Sequence, residues 1–336
     1  MTPPDPAPGL EGWLQALWYG GSPLAWLLLP FAGLFALVTG GRRLAYRAGW
    51  FRVHRLPVPV IVVGNVTVGG TGKTPVTGWL AGLCREAGLR PGIVSRGYGG
   101  RPSPAPRLVG ADDDAAEVGD EPLLLRRQTG VPVCVHPDRV AAGRRLIEEG
   151  VNVVIADDGL QHYRLHRDLE IAVLDGERRL GNGFLLPAGP LREGASRLRG
   201  VDLVLVNGGH AEEGEFALHS WIGRLRALDG SAHCALDVLR GQDVRVVAGI
   251  GNPGRFHAQL AAAGLRVEPL AVPDHGRVDL PALARASRVP IVMTEKDAVK
   301  YRPVHGGCPV WVAELELGVP DAVGARVLDR LRGLNE

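Results

Sequence analysis

The chain has 336 residues, 46% of them hydrophobic and 22% charged, and its formal net charge is +2 at pH 7. This length accommodates two ordinary α/β domains, the composition excludes a wholly disordered chain, and the small net charge gives no indication of a general nucleic-acid binder. Only three of the 38 basic residues are lysines, Lys73, Lys296 and Lys300. Each lysine is therefore a candidate for a specific role.

The N-terminal region is apolar and is followed by arginines. No charged residue occurs between Glu11 and Arg42, and residues 24–38 are almost wholly hydrophobic. A signal peptide carries its positive charges before the apolar run, so the pattern favours a membrane anchor with arginines at its cytoplasmic end. Residues 24–38 form a helix of roughly 23 Å, which is shorter than the roughly 30 Å hydrocarbon core. Spanning would therefore need upstream residues, and an interfacial helix or a buried core helix are the alternatives.

Beyond the arginines, predicted strands and helices alternate. Continuous apolar strands between helices are typical of parallel sheets that are covered on both faces. We therefore predict an α/β fold, with a parallel sheet domain that carries a P-loop, a smaller α/β domain, and an N-terminal membrane-associated helix. The predicted boundaries are 1–48 for the anchor, 49–232 for the P-loop domain and 233–336 for a smaller domain that closes over the cleft. The predicted strands are 60–63, 92–95, 151–156, 169–174, 203–206, 244–250, 267–272 and 290–294, and the predicted helices are 74–88, 137–150, 255–263 and 280–286.

A glycine-rich turn, GNVTVGGTGKTP, joins the first predicted strand to the first helix. In a P-loop, backbone N–H groups cradle the phosphates, the lysine reaches the terminal phosphates and the Ser/Thr hydroxyl ligates Mg²⁺. Lys73 and Thr74 occupy the last two positions, and the cradle consists of Gly69, Gly70, Thr71 and Gly72. Thr67 stands where the strict pattern has its first glycine. The strand before the turn and the helix after it nevertheless favour a P-loop over a chance glycine-rich turn.

Two adjacent acids end the strand 151–156. A carboxylate at the carboxyl edge of a strand near a P-loop is the Walker B arrangement, which binds Mg²⁺ directly or through water. Asp157 and Asp158 fit this description, although an Asp-Asp pair after a lone strand is also common in simple turns. His162 and His166 have the spacing of zinc ligands on a helix, but no accompanying motif supports zinc. The four cysteines are scattered singly, so the sequence suggests neither a thiolate zinc motif nor a disulfide scaffold.

These motifs, in this order, resemble those of the tetraacyldisaccharide 4'-kinases, the membrane-associated lipid A 4'-kinases of Gram-negative bacteria. The resemblance extends over roughly residues 20 to 300. Its most specific parts are the irregular P-loop and the DDGLQH segment. The matching segments are GNVTVGGTGKTP (64–75), VSRGYGG (94–100), VGDEP (118–122), HPDR (136–139), DDGLQHYRL (157–165), LPAGPLRE (186–193), PDH (273–275) and MTEKDAVK (293–300).

The resemblance implies an ATP-dependent kinase of lipid A biosynthesis. Such an enzyme transfers the γ-phosphate of ATP to the 4'-hydroxyl of a tetraacylated glucosamine disaccharide 1-phosphate. The implied cofactors are ATP and Mg²⁺, and the implied partners are the lipid A precursor and membrane lipid, with no nucleic acid. The implied location is the cytoplasmic face of the inner membrane, and a monomer is expected.

The resemblance also implies residue roles. Lys73 and Thr74 would hold phosphate and Mg²⁺, and Asp120 would be the catalytic base, paired with His275. The residues implied to organise the metal and the phosphates are Asp157, Asp158 and Glu193. The residues implied to line the site or surround the reacting groups are Asn65, Arg139, Gln161, His162, Arg192 and Glu193.

The residues alone leave several of these roles open. Asp120 lies in an acidic stretch whose simplest interpretation is a solvated loop, and His275 alone is typical of a surface histidine. Arg139 would ordinarily be a surface charge at the start of a helix. Arg192 with Glu193 could be a neighbouring ion pair in a loop.

Two other functional classes are compatible with parts of the sequence. The segment 249–254 matches the G-x-G-x-x-G pattern of nicotinamide-binding oxidoreductases, but that function would leave Lys73 and the Asp157–Asp158 pair without a role. A soluble P-loop metabolite kinase or NTPase would not need the apolar stretch 24–38. A GTPase would in addition be expected to carry an N-K-x-D motif, which is absent.

Overall fold

A computed structural model describes residues 10–273 and 276–334. Its N-terminal segment consists of helix α1 (Leu10–Tyr19), a 3₁₀ turn (Pro23–Leu28) and helix α2 (Leu29–Arg47). The continuous helical stretch Pro23–Arg47 is 25 residues long with a mean hydropathy of 1.9, which suffices in length and composition to cross a membrane. Only 11% of its most apolar window is buried, and Leu37 is 74% exposed. The alternative of a buried core helix is therefore excluded.

The first half of the chain forms a mainly parallel sheet with helices on both faces. Its strands β1, β2, β4, β5 and β6 are buried throughout, because residues of a central parallel strand face helices on both sides. The elements are β1 (Val60–Gly64), α3 (Lys73–Glu86), β2 (Pro91–Ser95), β3 (Arg107–Leu108), α4 (Ala115–Val118), α5 (Asp120–Thr129), β4 (Val133–Val135), α6 (Arg139–Glu148), β5 (Val153–Ala156), β6 (Leu169–Asp175), β7 (Leu203–Asn207) and β8 (Phe216–Ala227).

The second half adds a smaller α/β unit to the same sheet. Its parallel strands pack against α7 on one side and α8 on the other, through Phe256 and Leu260 and through Leu280 and Ala284. The elements are β9 (His233–Cys234), β10 (Asp243–Val247), α7 (Pro253–Ala262), β11 (Arg266–Leu270), α8 (Leu280–Ala286), β12 (Ile291–Thr294), α9 (Glu295–Ala298), β13 (Val310–Gly318) and α10 (Asp321–Arg332).

The long strand β8 joins the two halves. The strand order is β11-β10-β12-β13-β8-β7-β6-β1-β5-β2-β4-β3, with β9 paired to β8. The start of β8 pairs in parallel with β7, as Asn207 does with Leu218, and the rest pairs antiparallel with β13, as Ala227 does with Trp311. In the first half, β2, β3 and β4 follow β1 in the chain and lie toward one edge of the sheet. The chain then returns to β5, which pairs with β1 on that side, and crosses to β6, which pairs with β1 on the other side. Ligands of open α/β sheets bind at such a reversal, outside the carboxyl ends of the strands.

The predicted α/β class and the alternation of strands and helices are confirmed. The strands β8 and β13 and the helices α5 and α10 were not among the predicted elements. The domain boundary at residue 233 stays a prediction. The helix α10, from the C-terminal end of the chain, packs on the core of the first half, where Val323 and Val327 join Val76 and Leu80.

Candidate active site

The turn between β1 and α3, predicted to be a phosphate-binding loop, contains glycines in the left-handed region. Gly72 caps α3 with φ +92°, and Gly69 has φ +111°, a region that side chains other than glycine rarely occupy. A Cβ atom on Gly72 would lie 2.3 Å from Nδ2 of Asn207, whose amide donates to the carbonyl of Thr71 at 3.3 Å. The first turn of α3 contains no acid, so its N-terminal N–H groups and dipole are available to an anion.

Two polar atoms of this loop are buried without a hydrogen-bond partner among the described residues. They are Oδ1 of Asn65 and Oγ1 of Thr71. Buried polar atoms are nearly always satisfied in folded proteins, so such atoms need an explanation. Because both belong to the predicted phosphate loop, they provide hydrogen-bonding capacity for a bound ligand.

The two aspartates after β5 have opposite electrostatic environments. Asp157 is buried and accepts a hydrogen bond from Oγ1 of Thr77 at 3.0 Å, and burial together with the charges of Glu121 and Asp158 raises its pKa to about 7. Asp158 is bound by NH1 of Arg192 at 3.1 and 2.9 Å, and Nζ of Lys73 lies 3.7 Å from its Oδ1. Burial opposes ionisation of Asp158, but Lys73 and Arg192 outweigh it and lower its pKa to about 2.

Arg139 is a buried part of this centre, so its interpretation as a surface charge is wrong. Its NH2 group donates to the backbone carbonyls of Asp157 at 3.2 Å and of Asp158 at 2.8 Å. Asp158 has φ +48°, which is unusual for a residue other than glycine. The guanidinium group of Arg139 thus stabilises the strained backbone turn that carries the carboxylates of Asp157 and Asp158.

Glu193 belongs to a second buried network and does not pair with its neighbour Arg192. Nε2 of Gln161 donates to Oε2 of Glu193 at 3.1 Å and to the carbonyl of Asn65 at 3.0 Å. The hydroxyl of Tyr163 donates to Oε1 of Glu193. Burial, with the hydrogen bond to Glu193, raises the pKa of Tyr163 to about 12, so the hydroxyl keeps its proton. The simple ion pair between Arg192 and Glu193 is therefore wrong.

His162 follows Gln161 and is neutral at physiological pH. Burial and the charge of Arg139 lower its pKa to about 4. Its Nε2 atom is buried and has no hydrogen-bond partner in the described part of the chain. Residues 10–273 and 276–334 contain no group of three His, Cys, Asp or Glu side chains that could hold a metal ion, so nothing there supports a zinc site at His162 and His166.

Asp120 is the first residue of α5 and is buried, so the solvated loop suggested by its acidic neighbours is wrong. Nζ of Lys300 lies 3.5 Å from its Oδ2, and Glu121 pairs with Nζ of Lys296 at 3.1 Å. Because the charge of Glu121 also raises the pKa of Asp157, the start of α5 adjoins the Asp157–Asp158 turn. His275 lies outside the described residues, so its pairing with Asp120 stays a prediction.

The glycine-rich turn 249–254 lies opposite the phosphate loop. A Cβ atom on Gly70 would lie 3.7 Å from the Cα atom of Gly251. The backbone N–H of Gly249 donates to Oδ2 of Asp297 at 3.0 Å, and Oδ1 of Asp297 binds Nζ of Lys300 at 2.8 Å. The turn is therefore anchored from within the protein and lies against the phosphate loop at Gly70.

The buried Asp297–Lys300 pair provides a test of this anchoring. Lys300→Met should lower the free energy of unfolding by about 3–5 kcal/mol, because it leaves the buried Asp297 carboxylate without its cation. Chemical denaturation measures the change. Arg332→Met is the matched control, since Arg332 and Asp329 are also three residues apart but 73% exposed, and that pair should contribute less than about 1 kcal/mol. Equal losses in both variants would contradict the structural role of Lys300.

The structure adds site residues that sequence reasoning missed. Thr77 lies one helical turn after Lys73, and Asn207 ends a buried strand at the same sheet edge as Asp157. Sequence reasoning could have identified both positions. Ligands are approached by polar residues at the carboxyl ends of parallel strands and on the first helical turn after a P-loop. Tyr163 directly follows the DDGLQH segment.

Comparison with known proteins places most of the chain in one family. The family model described as tetraacyldisaccharide-1-P 4'-kinase matches residues 24–332. A tetraacyldisaccharide 4'-kinase of Nitrosococcus oceani is 48% identical over 94% of this chain and 93% of its own length, and one of Alkalilimnicola ehrlichii is 53% identical over 85% and 87%. The crystal structure of LpxK from Aquifex aeolicus in complex with ATP is similar with a TM-score of 0.77, at 29% identity over 92% of this chain and 99% of that one.

Proposed function

The chain belongs to the tetraacyldisaccharide-1-P 4'-kinase family, and from this premise we propose how its residues carry out the reaction. The enzyme is an ATP-dependent kinase that transfers the γ-phosphate to the 4'-hydroxyl of a tetraacylated disaccharide 1-phosphate. The observation that carries the assignment is Lys73 at the end of a phosphate loop, 3.7 Å from the Asp158 carboxylate. A soluble metabolite kinase is not favoured.

Phosphoryl transfer depends mainly on positioning and on charge stabilisation. We assign the β- and γ-phosphates to the backbone cradle Gly69–Gly72 and to the ammonium group of Lys73. In the free enzyme Lys73 and Arg192 both neutralise Asp158, so both cations are already placed beside the site where phosphate charge arrives. Such preorganised charges stabilise the transition state without reorganisation.

The oxygen donors in this cleft fit Mg²⁺. Magnesium prefers oxygen ligands and is usually held by one or two carboxylates together with substrate phosphates, and the carboxylates of Asp157 and Asp158 lie next to the start of α3. Thr74, Asp157 and Asp158 would hold the ion. Glu193 fits less well, because both of its oxygens already accept hydrogen bonds from Gln161 and Tyr163. When bound, Mg²⁺ neutralises phosphate charge.

Asp120 is proposed to accept the proton of the 4'-hydroxyl. Kinases commonly use an aspartate for this step, and the Asp120 carboxylate lies at the N-terminus of α5, 3.5 Å from the ammonium group of Lys300. The proton leaves the sugar oxygen as that oxygen forms its bond to phosphorus. The turn at Gly251, which lies against the phosphate loop at Gly70, would limit the access of water to the phosphate.

The exposed helix Pro23–Arg47 is proposed to bind the cytoplasmic face of the inner membrane. Its apolar side chains are exposed, and each arginine near an anionic surface contributes about 1 kcal/mol of attraction. Membrane binding would place the enzyme where the acyl chains of its substrate reside. Membrane lipid and the lipid A precursor are thus the proposed partners, with the protein acting as a monomer.

The membrane assignment predicts a specific loss of binding. Replacing Leu34 and Leu37 with Asp should lower the liposome-bound fraction at least tenfold, because each buried Asp costs about 2.5–3.5 kcal/mol in a helix at the bilayer centre. Co-sedimentation with liposomes measures the fraction. Val238→Asp is the matched control, since Val238 is equally apolar and 58% exposed but lies far along the chain from the helix. Unchanged sedimentation of the double variant would contradict a membrane role for α2.

The proposed reaction predicts one product. Purified protein with γ-labelled ATP and a tetraacyl disaccharide 1-phosphate should yield a labelled lipid that carries a 4'-phosphate, identified by mass spectrometry. Transfer should require Mg²⁺ and should stop when EDTA is added. An acceptor whose 4'-hydroxyl is replaced by hydrogen is the control and should remain unlabelled. Label in that acceptor would contradict the proposed regiochemistry.

A further inference from the structure

A basic cleft of about 270 Å³ lies at the foot of the apolar helix α2. Arg43 and Arg47 from the last turns of α2 form one side, and Arg167 and Arg197 form the other. Arg43 and Arg47 are four residues apart, so their side chains project from one face of the helix. The cleft is therefore built from two parts of the chain that are far apart in sequence.

The charges in this cleft are not balanced. Arg167 and Arg197 both bind the same acid, Glu170, and Nε of Arg197 lies 3.8 Å from Glu193. Arg43 and Arg47 form no ion pair with any residue in the ranges 10–273 and 276–334. Like charges four residues apart on a helix repel each other, and a bound anion would remove that repulsion. The cleft thus has a surplus of positive charge directed at solvent.

The cleft is connected to the catalytic centre through Tyr163. The Tyr163 side chain lines the cleft, and its hydroxyl donates to Glu193, which Gln161 links to the phosphate loop at Asn65. On the cleft side, Tyr46 of α2 packs against the Tyr163 ring at 5.9 Å between centroids, and Arg167 lies over the same ring at 5.2 Å. An anion in the cleft would thus lie between α2 and the Glu193 network.

We propose that this cleft binds the 1-phosphate of the acylated disaccharide. This inference rests on the proposed function, because that acceptor carries a phosphate monoester at the end of the disaccharide remote from its 4'-hydroxyl. The guanidinium groups of Arg43 and Arg47 suit a phosphate, which they bind through charge-assisted and often bidentate hydrogen bonds. Arg167 and Arg197 are already hydrogen-bonded to Glu170 and contribute positive charge to the cleft. The volume is slightly below the usual range for ligand pockets, which suits one phosphorylated sugar end and leaves the acyl chains to α2 and the bilayer.

The test measures acceptor binding directly, so that it does not depend on phosphoryl transfer. The dissociation constants of the tetraacyl disaccharide with and without its 1-phosphate are compared in neutral detergent micelles. Removing the 1-phosphate should weaken binding to the unmodified protein about 100-fold, as expected for two charge-assisted contacts. In the R43Q/R47Q double variant, the dissociation constants of the two acceptors should differ less than about fivefold. Arg52→Gln is the matched control, since Arg52 belongs to the same basic flank but does not line the cleft.

Two results would overturn the proposal. One is an equal loss of affinity for both acceptors in the double variant, which would assign Arg43 and Arg47 a structural role. The other is an effect of the double variant that appears only when the micelles contain phosphatidylglycerol, which would assign the cleft to membrane headgroups. Failure of the proposed function has a different signature, namely normal discrimination between the acceptors without transfer of the γ-phosphate.

Discussion

Lys73→Ala is expected to lower kcat for phosphoryl transfer about 10²- to 10³-fold, the usual cost of removing one preorganised group that stabilises transition-state charge. The ammonium group of Lys73 is largely buried, and its position at the start of α3 directs it to phosphates bound by the loop. Steady-state kinetics with the tetraacyl acceptor measures the loss. Full activity of the variant would contradict the assignment of the phosphate loop.

The same substitution should leave the fold intact. Asp158 retains both contacts to Arg192 when Lys73 is removed, so no buried carboxylate is left without a cation. The thermal unfolding midpoint of Lys73→Ala should therefore stay close to that of the unmodified protein. Lys73→Arg provides a second comparison, because a planar guanidinium keeps the charge but does not reproduce the compact ammonium group. This variant should also be strongly impaired.

Asp120→Asn is expected to lower kcat about 10²- to 10⁴-fold with little change in KM, as for the loss of a general base. Asn keeps the size of the side chain but cannot accept the proton of the sugar hydroxyl. Lys300 keeps its partner Asp297 at 2.8 Å, so the variant retains a paired buried lysine. Initial rates at varied acceptor concentrations separate kcat from KM.

Asp112→Asn is the matched control for this prediction. Asp112 lies in the same acidic stretch but is exposed, and its replacement should leave both constants unchanged. An effect of Asp120→Asn on KM alone would contradict a role as base and would indicate a contribution to acceptor binding instead.

Local periodicity predicted the central elements of the fold but not its junction. Strands such as β5 are short continuous apolar runs, which are recognisable because both of their faces are buried. The junction strand β8 instead alternates buried and exposed residues and contains His219, Arg224 and Arg226. Its arginines are accommodated by Glu314 on β13, 88 or more residues away. The partner that accommodates these charges cannot be identified from the segment itself, and β8 and β13 were not predicted.

The candidate site shows the same division. Short sequence motifs contain Lys73, Asp157 and Asp158, and each motif indicates its chemistry without knowledge of tertiary contacts. The structure brings these residues together at one sheet edge. The surroundings of Asp120 depend on tertiary contacts. An acidic run predicts solvent exposure, but here Lys296 and Lys300, roughly 180 residues away in sequence, neutralise Glu121 and Asp120. The sequence pattern alone carries no information about such pairs.

The position of α10 has a consequence for biosynthesis. This helix contains residues 321–332, near the end of the chain, yet Val323, Val327 and Leu331 fill the core around α3. During translation the first half therefore lacks part of its interior until residues 321–332 have been synthesised, whereas the apolar α2 is synthesised well before them. A nascent chain can thus reach a membrane before its nucleotide-binding half is complete. Truncation after β13 should expose apolar surface on the first half and make it prone to aggregation.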